Sequence, residues 1–337
     1  MEYLDKLIEK LTRATGIGYE GNVKEVIVHE LKDLDIEAEI GQDGSVYALS
    51  SGSGNKNIML VCHIDEIGFM VSYIEDNGFI RFSQVGGCDA RILPGQEVTI
   101  IGKDSARGYI GLKPPHYISK EEKEKVTSLD QLFIDTGLPA AEVKSLIKIG
   151  DCISFINKYL KLHGDLRCAK SLDNRASVAC GILILKEVTQ IERNFNLHFV
   201  ASSQEEYTGL GARIYSNKLP VDYAIVIDVT HGEHPEVSED ESYHLNGGPV
   251  IARGATIPER LFKMLVDTAK EIEIPHQIEP LPSWTGTDAD TIAFSREGIP
   301  TCVLGIPLRY MHTPVEVVSL RDIERTARLI VNFLKKL

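Results

Sequence analysis

Four continuous apolar runs narrow what this chain can fold into. Ile58-Met59-Leu60-Val61, Leu197–Ala201, Ala224–Ile227 and Thr301–Leu304 lack the polar/apolar alternation of a half-exposed strand. Strands built from them must be covered on both faces, as in a largely parallel sheet packed between helices. Three of the runs lead directly into imidazole or carboxylate: Cys62-His63-Ile64-Asp65, Ser202-Ser203-Gln204-Glu205-Glu206, and Asp228. Open α/β sheets bind ligands beyond the carboxyl ends of their strands, so these residues stand where chemistry is expected.

Helical spacing fills the intervals. Leu4, Leu7, Ile8 and Leu11 share one face, and a second helix is expected over Glu20 to Leu34. Further helices are expected over Ala176–Val188, Pro258–Ile272 and Leu320–Leu334, the last opened by Ser319-x-x-Asp322, a relative of the capping box. Short strands are expected near Ile36–Ile40 and Val46–Leu49, around the turn signal Asp43-Gly44. Between them and the later runs lies a stretch of different texture. Phe69–Ile74, Phe79–Gln84, Val98–Ile101 and Tyr109–Leu112 are short, β-rich and separated by glycine, and Ser119 to Lys125 is a charged loop or helix. We therefore expect residues 1–66 and 163–337 to form an α/β domain and residues 67–162 a β-rich insertion.

At 337 residues the chain is long enough for about two domains and a large core. No run approaches the roughly 18 apolar residues that cross a bilayer, and Met1 is followed by acidic Glu2, unlike a secretory leader. A net charge of −13 argues against nucleic acid and anionic membranes as partners. The six cysteines form no Cys-x-x-Cys pair and read as reduced, mostly buried thiols, so a cytoplasmic protein is expected.

Asp173, in Ser171-Leu172-Asp173-Asn174-Arg175, and His312, ahead of Thr313-Pro314, occupy similar junctions. Singly, each candidate has an ordinary explanation as a cap or a hydrogen-bonded polar residue. Together, several buried carboxylates converging on one place require cations. Nitrogen and oxygen donors without thiolate suit zinc, cobalt or manganese at a catalytic site. If Asp173 bridges two such ions, His63 and Asp228 can serve one and Glu206 and His312 the other, leaving about one net positive charge to activate a bridging water. Asp65 could fix the His63 tautomer, and unligated Glu205 is placed to act as general base, provided Glu205 and Glu206 lie in a turn.

These residues lie in stretches that, as an ordered set, resemble the tetrahedral (TET) aminopeptidases. This is the glutamyl/leucyl/lysyl family of dinuclear co-catalytic metallopeptidases, some once labelled cellulases. The stretches are Cys62–Phe69, Ser171–Arg175, Ser203–Glu206, Ile227–His231, Gly286-Thr287-Asp288-Ala289 and Arg309–Glu316, with Lys113–His116 and Phe133–Gly137 in the insertion. The resemblance implies His63, Asp173, Glu206, Asp228 and His312 as ligands of two divalent metal ions (Zn2+ or Co2+, or Mn2+), with Asp173 bridging. It also implies Glu205 as catalytic base, supported by Asp65. It further implies a zinc-exopeptidase-like α/β/α domain with a central mixed sheet, an inserted PDZ- or barrel-like dimerisation domain, and dimers assembling into a hollow dodecamer that admits short peptides.

The chain departs from the family pattern at Gly232-Glu233-His234-Pro235-Glu236 and at Asp290, where a small residue is common. His231 and His234 read as solvated loop histidines, and His116 as a structural or interface residue. An amide hydrolase of another kind, a metal-free glycosidase with paired carboxylates, and an inactive peptide-binding shell are the competing readings.

Overall fold

The computed structural model describes residues 1–18, 21–117, 119 and 125–337. Helices run over Glu2–Arg13 (α1), Val23–Lys32 (α2), Ala140–Leu146 (α3), Leu172–Val188 (α4), Leu210–Lys218 (α5), Glu259–Glu271 (α6), Asp288–Ala293 (α7) and Leu320–Leu334 (α8). A large mixed sheet uses Ala38–Ile40 (β1), Val46–Ser50 (β2), Lys56–His63 (β3), Leu160–Lys161 (β10), Leu166–Ala169 (β11), Phe195–Ser202 (β12), Tyr223–His231 (β13), Val250–Gly254 (β14), Gln277–Leu281 (β15), Thr301–Arg309 (β16) and Glu316–Ser319 (β17). A closed barrel is made by Gly68–Ile74 (β4), Ile80–Val85 (β5), Glu97–Ile101 (β6), Ala106–Gly111 (β7), Phe133–Asp135 (β8) and Cys152–Phe155 (β9).

The four apolar runs are the heart of the sheet, in the order β12-β3-β13-β16, each parallel to its neighbour. Period-two geometry explains why these runs are apolar throughout. Ile58, Leu60 and Cys62 face one core with Ile225 and Ile227, against α1, α2, α4, α6 and α8. Met59 and Val61 face a second core with Ala224 and Val226, against α5 and α7. Parallel pairing does not extend to the flanks, however. β2 adds to β12, β17 to β16 and β11 to β17, all antiparallel, so the largely parallel sheet read from the runs is parallel only at its centre. Of these pairs only β16 and β17 are joined by a short return, which favours antiparallel pairing, whereas β2 and β11 pair with strands far away in the chain.

The helix expected over Glu20 to Leu34 is shorter, Val23–Lys32, and Glu20 lies outside the described residues. The last helix begins where expected, with the Ser319 hydroxyl accepting the Arg321 N–H. Asp322 does not close a box, because its oxygens accept the N–H groups of Asn246 (2.6 Å) and Gly248 (2.9 Å) instead. The strand over Ala224–Ile227 does not stop at Asp228 but continues to His231. Apolar patterning did not reveal β14, β15, α5 or α7, which are short or amphipathic. The charged stretch Ser119 to Lys125 falls largely outside the described residues.

The barrel carries its own core, in which the Phe69 ring meets those of Phe82 and Phe155 edge-on at 5.0 and 5.3 Å. All six cysteines are free thiols, five of them buried. Among the described residues no helix is long and apolar enough to cross a membrane.

Candidate active site

The carboxyl ends of the central strands open into a cleft of about 540 Å³ whose lining includes His63, Asp173, Glu205, Glu206, Asp228 and His312. His63 is the last residue of β3, and Asp228 sits inside β13 where that strand passes the end of β3. Glu205 and Glu206 occupy a turn after β12, entered through Gln204 at φ 61°. His312, at φ 61°, follows β16. Asp173 stands at the mouth of α4, before regular helix begins (φ −80°, ψ 101°). Left-handed φ values at non-glycine residues gather at functional sites because the surrounding structure must hold them there.

Asp173 lies between two groups of donors. Its Oδ1 is 3.1 Å from His63 Nε2, which is also 3.7 Å from Asp228 Oδ1 and 3.8 Å from Glu205 Oε2. Its Oδ2 is 3.3 Å from His312 Nε2, itself 3.4 Å from Glu206 Oε2. Donor atoms of His63, Asp173 and Glu206 all fall within 4.8 Å of one another. Donors held about 2.1 Å from a tetrahedral ion are about 3.4 Å apart, so this spacing and the all-nitrogen-and-oxygen chemistry fit divalent cations.

The electrostatics point the same way. Burial, together with the charges of Asp228, Asp288 and Asp173, pushes Glu205 up to about 9, and burial pushes Asp228 up to about 8. Hydrogen bonding to Asp173 and Glu206 lifts His312 to about 11. Asp173 is held well below the usual carboxylate range, since hydrogen bonds from His312 and His63 outweigh its burial. With no cation among them, these groups can coexist only by taking up protons; a cation would reverse that preference.

Three side chains given no metal role in the sequence reading hold the backbone of this cluster. Asp65 accepts the N–H groups of Glu205 (3.0 Å) and Glu206 (3.1 Å). Its approach to His63 Nδ1 is 3.6 Å, longer than a hydrogen bond, so its visible work is to grip the turn. Glu316 accepts from the backbone of both His312 (2.9 Å) and Asp173 (3.1 Å), and Asn174 Nδ2 donates to Asp228 Oδ1 at 2.8 Å. Asn174 and Glu316 each fall within four residues of a candidate ligand and within the motif stretches, which was the available signal.

The model of the M42 glutamyl aminopeptidase family matches residues 44–329. The chain belongs to that family. It is 32% identical to lysyl aminopeptidase of Pyrococcus furiosus, over 98% of this chain and 97% of that protein. Among solved structures, an aminopeptidase from the archaeon Desulfurococcus kamchatkensis superposes with TM-score 0.92 at 33% identity, covering 100% of this chain and 95% of that one. The TET1 peptidase of Pyrococcus horikoshii, described as able to form a tetrahedron or a large octahedral shell, superposes with TM-score 0.87 at 29% identity, covering 99% and 100%.

As an M42 member the chain is an aminopeptidase that works with divalent metal ions. Family membership favours peptide hydrolysis over the glycosidase and inactive-shell readings. It also gives a context to a second buried cluster beneath the site. Glu66, next to Asp65, pairs with Lys170 (2.5 Å) and the Ser171 hydroxyl, and accepts the Gly16 N–H at 3.0 Å. This ties the β3–β4 link and the loop after α1 to the segment that presents Asp173. His231 is not in a loop: it ends β13, exposed at the cleft wall, whereas His234 packs against the Tyr310 ring at 5.5 Å. His116 is exposed in a short turn of the insertion.

Proposed function

We propose that this M42 protein removes N-terminal residues from short peptides with a dinuclear site. His63 and Asp228 would hold one ion and Glu206 and His312 the other, with Asp173 able to serve both. The observation that carries the reading is the position of Asp173, whose two carboxylate oxygens face separate His-and-carboxylate groups. Two zinc, cobalt or manganese ions bound there would supply Lewis acidity toward the scissile carbonyl and lower the pKa of a bound water.

Glu205 is the carboxylate left over from that ligand set. Facing the same cleft as the ligand set, its carboxylate would accept a proton from the attacking water and return it to the departing amine. Asp65 acts as a positioning residue, holding the turn so that Glu205 and Glu206 reach the same cleft from adjacent positions. Asn174 and Glu316 fix the orientation of Asp228 and of the backbone at Asp173 and His312.

In the same reading, residues 67–162 form an inserted dimerisation domain on residues 1–66 and 163–337, and dimers build a closed dodecamer in the cytoplasm. The shell-forming P. horikoshii relative supports that assembly by similarity. The test is a panel of aminoacyl anilides assayed on metal-stripped protein with zinc, cobalt and manganese restored one at a time. Two equivalents of bound metal with recovered turnover are expected; full turnover at one equivalent would overturn the dinuclear assignment.

A further inference from the structure

The cleft extends from the ligand cluster along a wall made by β13 and β15. Exposure alternates along β15, with Gln277, Glu279 and Leu281 half-buried and Ile278 and Pro280 exposed between them. Alternate residues share a face, and Glu279 and Leu281 line the cleft, together with Val303 and the loop Thr285–Thr287. Glu279 Oε1 accepts the Thr230 hydroxyl at 2.7 Å, which ties this carboxylate to the strand that carries Asp228. Among the described residues that line the cleft there is no lysine or arginine. Glu279 is also the one carboxylate of that lining outside the proposed ligands and Glu205.

We propose that Glu279 is a specificity-determining residue. It selects peptides whose N-terminal side chain is long and cationic, lysine or arginine, with Leu281 and Val303 beside the methylene stem. The inference rests on the aminopeptidase reading of the same cleft. Long cationic side chains lay their stems on apolar surface while the charged head seeks a polar partner. A carboxylate held in place offers that head a charge-assisted hydrogen bond. An acidic side chain entering the same space meets Glu279 and no fixed cation, and like-charge juxtaposition is unfavourable. A glutamyl preference, which the family description names, is therefore disfavoured in this member.

The test uses the full-length, metal-loaded protein at pH 8, where an ordinary imidazole carries little charge. Lysyl, arginyl, norleucyl and glutamyl anilides are compared on the wild type, Glu279→Gln and Glu279→Lys. Norleucine serves as the neutral counterpart of lysine. We expect kcat/KM of the wild type to be at least tenfold higher for lysyl than for glutamyl anilide. Glu279→Gln should lower the lysyl-to-norleucyl ratio at least tenfold, chiefly through KM, and Glu279→Lys should reverse the lysyl–glutamyl order.

Because these readouts are ratios within one protein preparation, a partly unfolded variant does not imitate them. Calorimetric binding of lysinamide against norleucinamide gives a readout independent of turnover, with lysinamide binding at least tenfold more tightly to the wild type. Glutamyl anilide cleaved as well as lysyl, or a lysyl-to-norleucyl ratio within twofold of wild type in Glu279→Gln, overturns the proposal. If no anilide is cleaved with any metal, the aminopeptidase reading fails; the calorimetry then decides on Glu279, and equal binding of the two amides rejects it.

Discussion

At the scale of single residues, the site is defined by which carboxylates stay in use once cations are bound. Glu205 lies outside the proposed ligand set, so Glu205→Gln should keep its metal while turnover on aminoacyl anilides falls by about 10²–10⁴-fold. Elemental analysis beside the rate measurement checks this, and near-normal rates would remove Glu205 from the chemistry. Glu316 predicts the opposite pattern. It touches no reacting atom but holds the backbone of His312 and Asp173, and losing such outer support typically costs 10–100-fold in metal affinity or activity. Glu316→Gln should therefore weaken metal binding in a chelator competition by about that factor. Rates at saturating metal should fall less.

At the scale of elements, helix α1 is pinned to β10 and β11 by one carboxylate. Arg167 bonds Asp5 through two nitrogens at 2.7 and 3.1 Å, and Lys161 adds a contact at 2.8 Å. Hydrogen bonds from Arg167, then Lys161 and Tyr159, hold the Asp5 carboxyl well below its ordinary range despite its burial. A depressed folded-state value means that the stabilisation is complete above the unfolded carboxylate's pKa, near 3.9, and is lost as pH falls toward the folded value. Asp5→Asn should cost about 1–3 kcal/mol in urea unfolding at pH 7. The gap between variant and wild type should shrink steadily below about pH 4; a gap that is unchanged at pH 3 would contradict the assignment.

The same scale shows where patterning was readable. The central strands and α8 stand out because two-sided burial demands unbroken apolar residues and an amphipathic helix demands a regular stripe. β14 and β15 carry no such mark: β15 alternates half-buried and exposed positions over five residues and contains a proline. Its role as a cleft wall follows from pairing with β14, which joins the sheet beside β16.

At the scale of the whole molecule, the metal site joins segments spread from His63 to His312, held by the sheet and by the Glu66–Lys170 pair beneath it. Stripping the metal with a chelator should abolish turnover while far-ultraviolet circular dichroism stays native, because the two cores and the barrel core form without it. Loss of fold along with metal would show that the ions are structural. If the proposed shell forms, light scattering should give about twelve times the 37.3 kDa of one chain, and a monomeric mass would dismiss it.

Hydrophobic runs and the residues that end them were enough to expect a covered sheet, a β-rich insertion and a ring of imidazole and carboxylate, because two-sided burial and the cost of uncompensated charge leave marks in local composition. Three things depended on distances through space. Asp173 turns one oxygen to each donor group, Asp65 grips the turn at Glu205 while standing 3.6 Å from the ring of His63, and Glu279 faces the cleft from a strand that patterning did not reveal. Each relation joins positions far apart in the chain, and only the packing of the sheet brings them within a few ångströms.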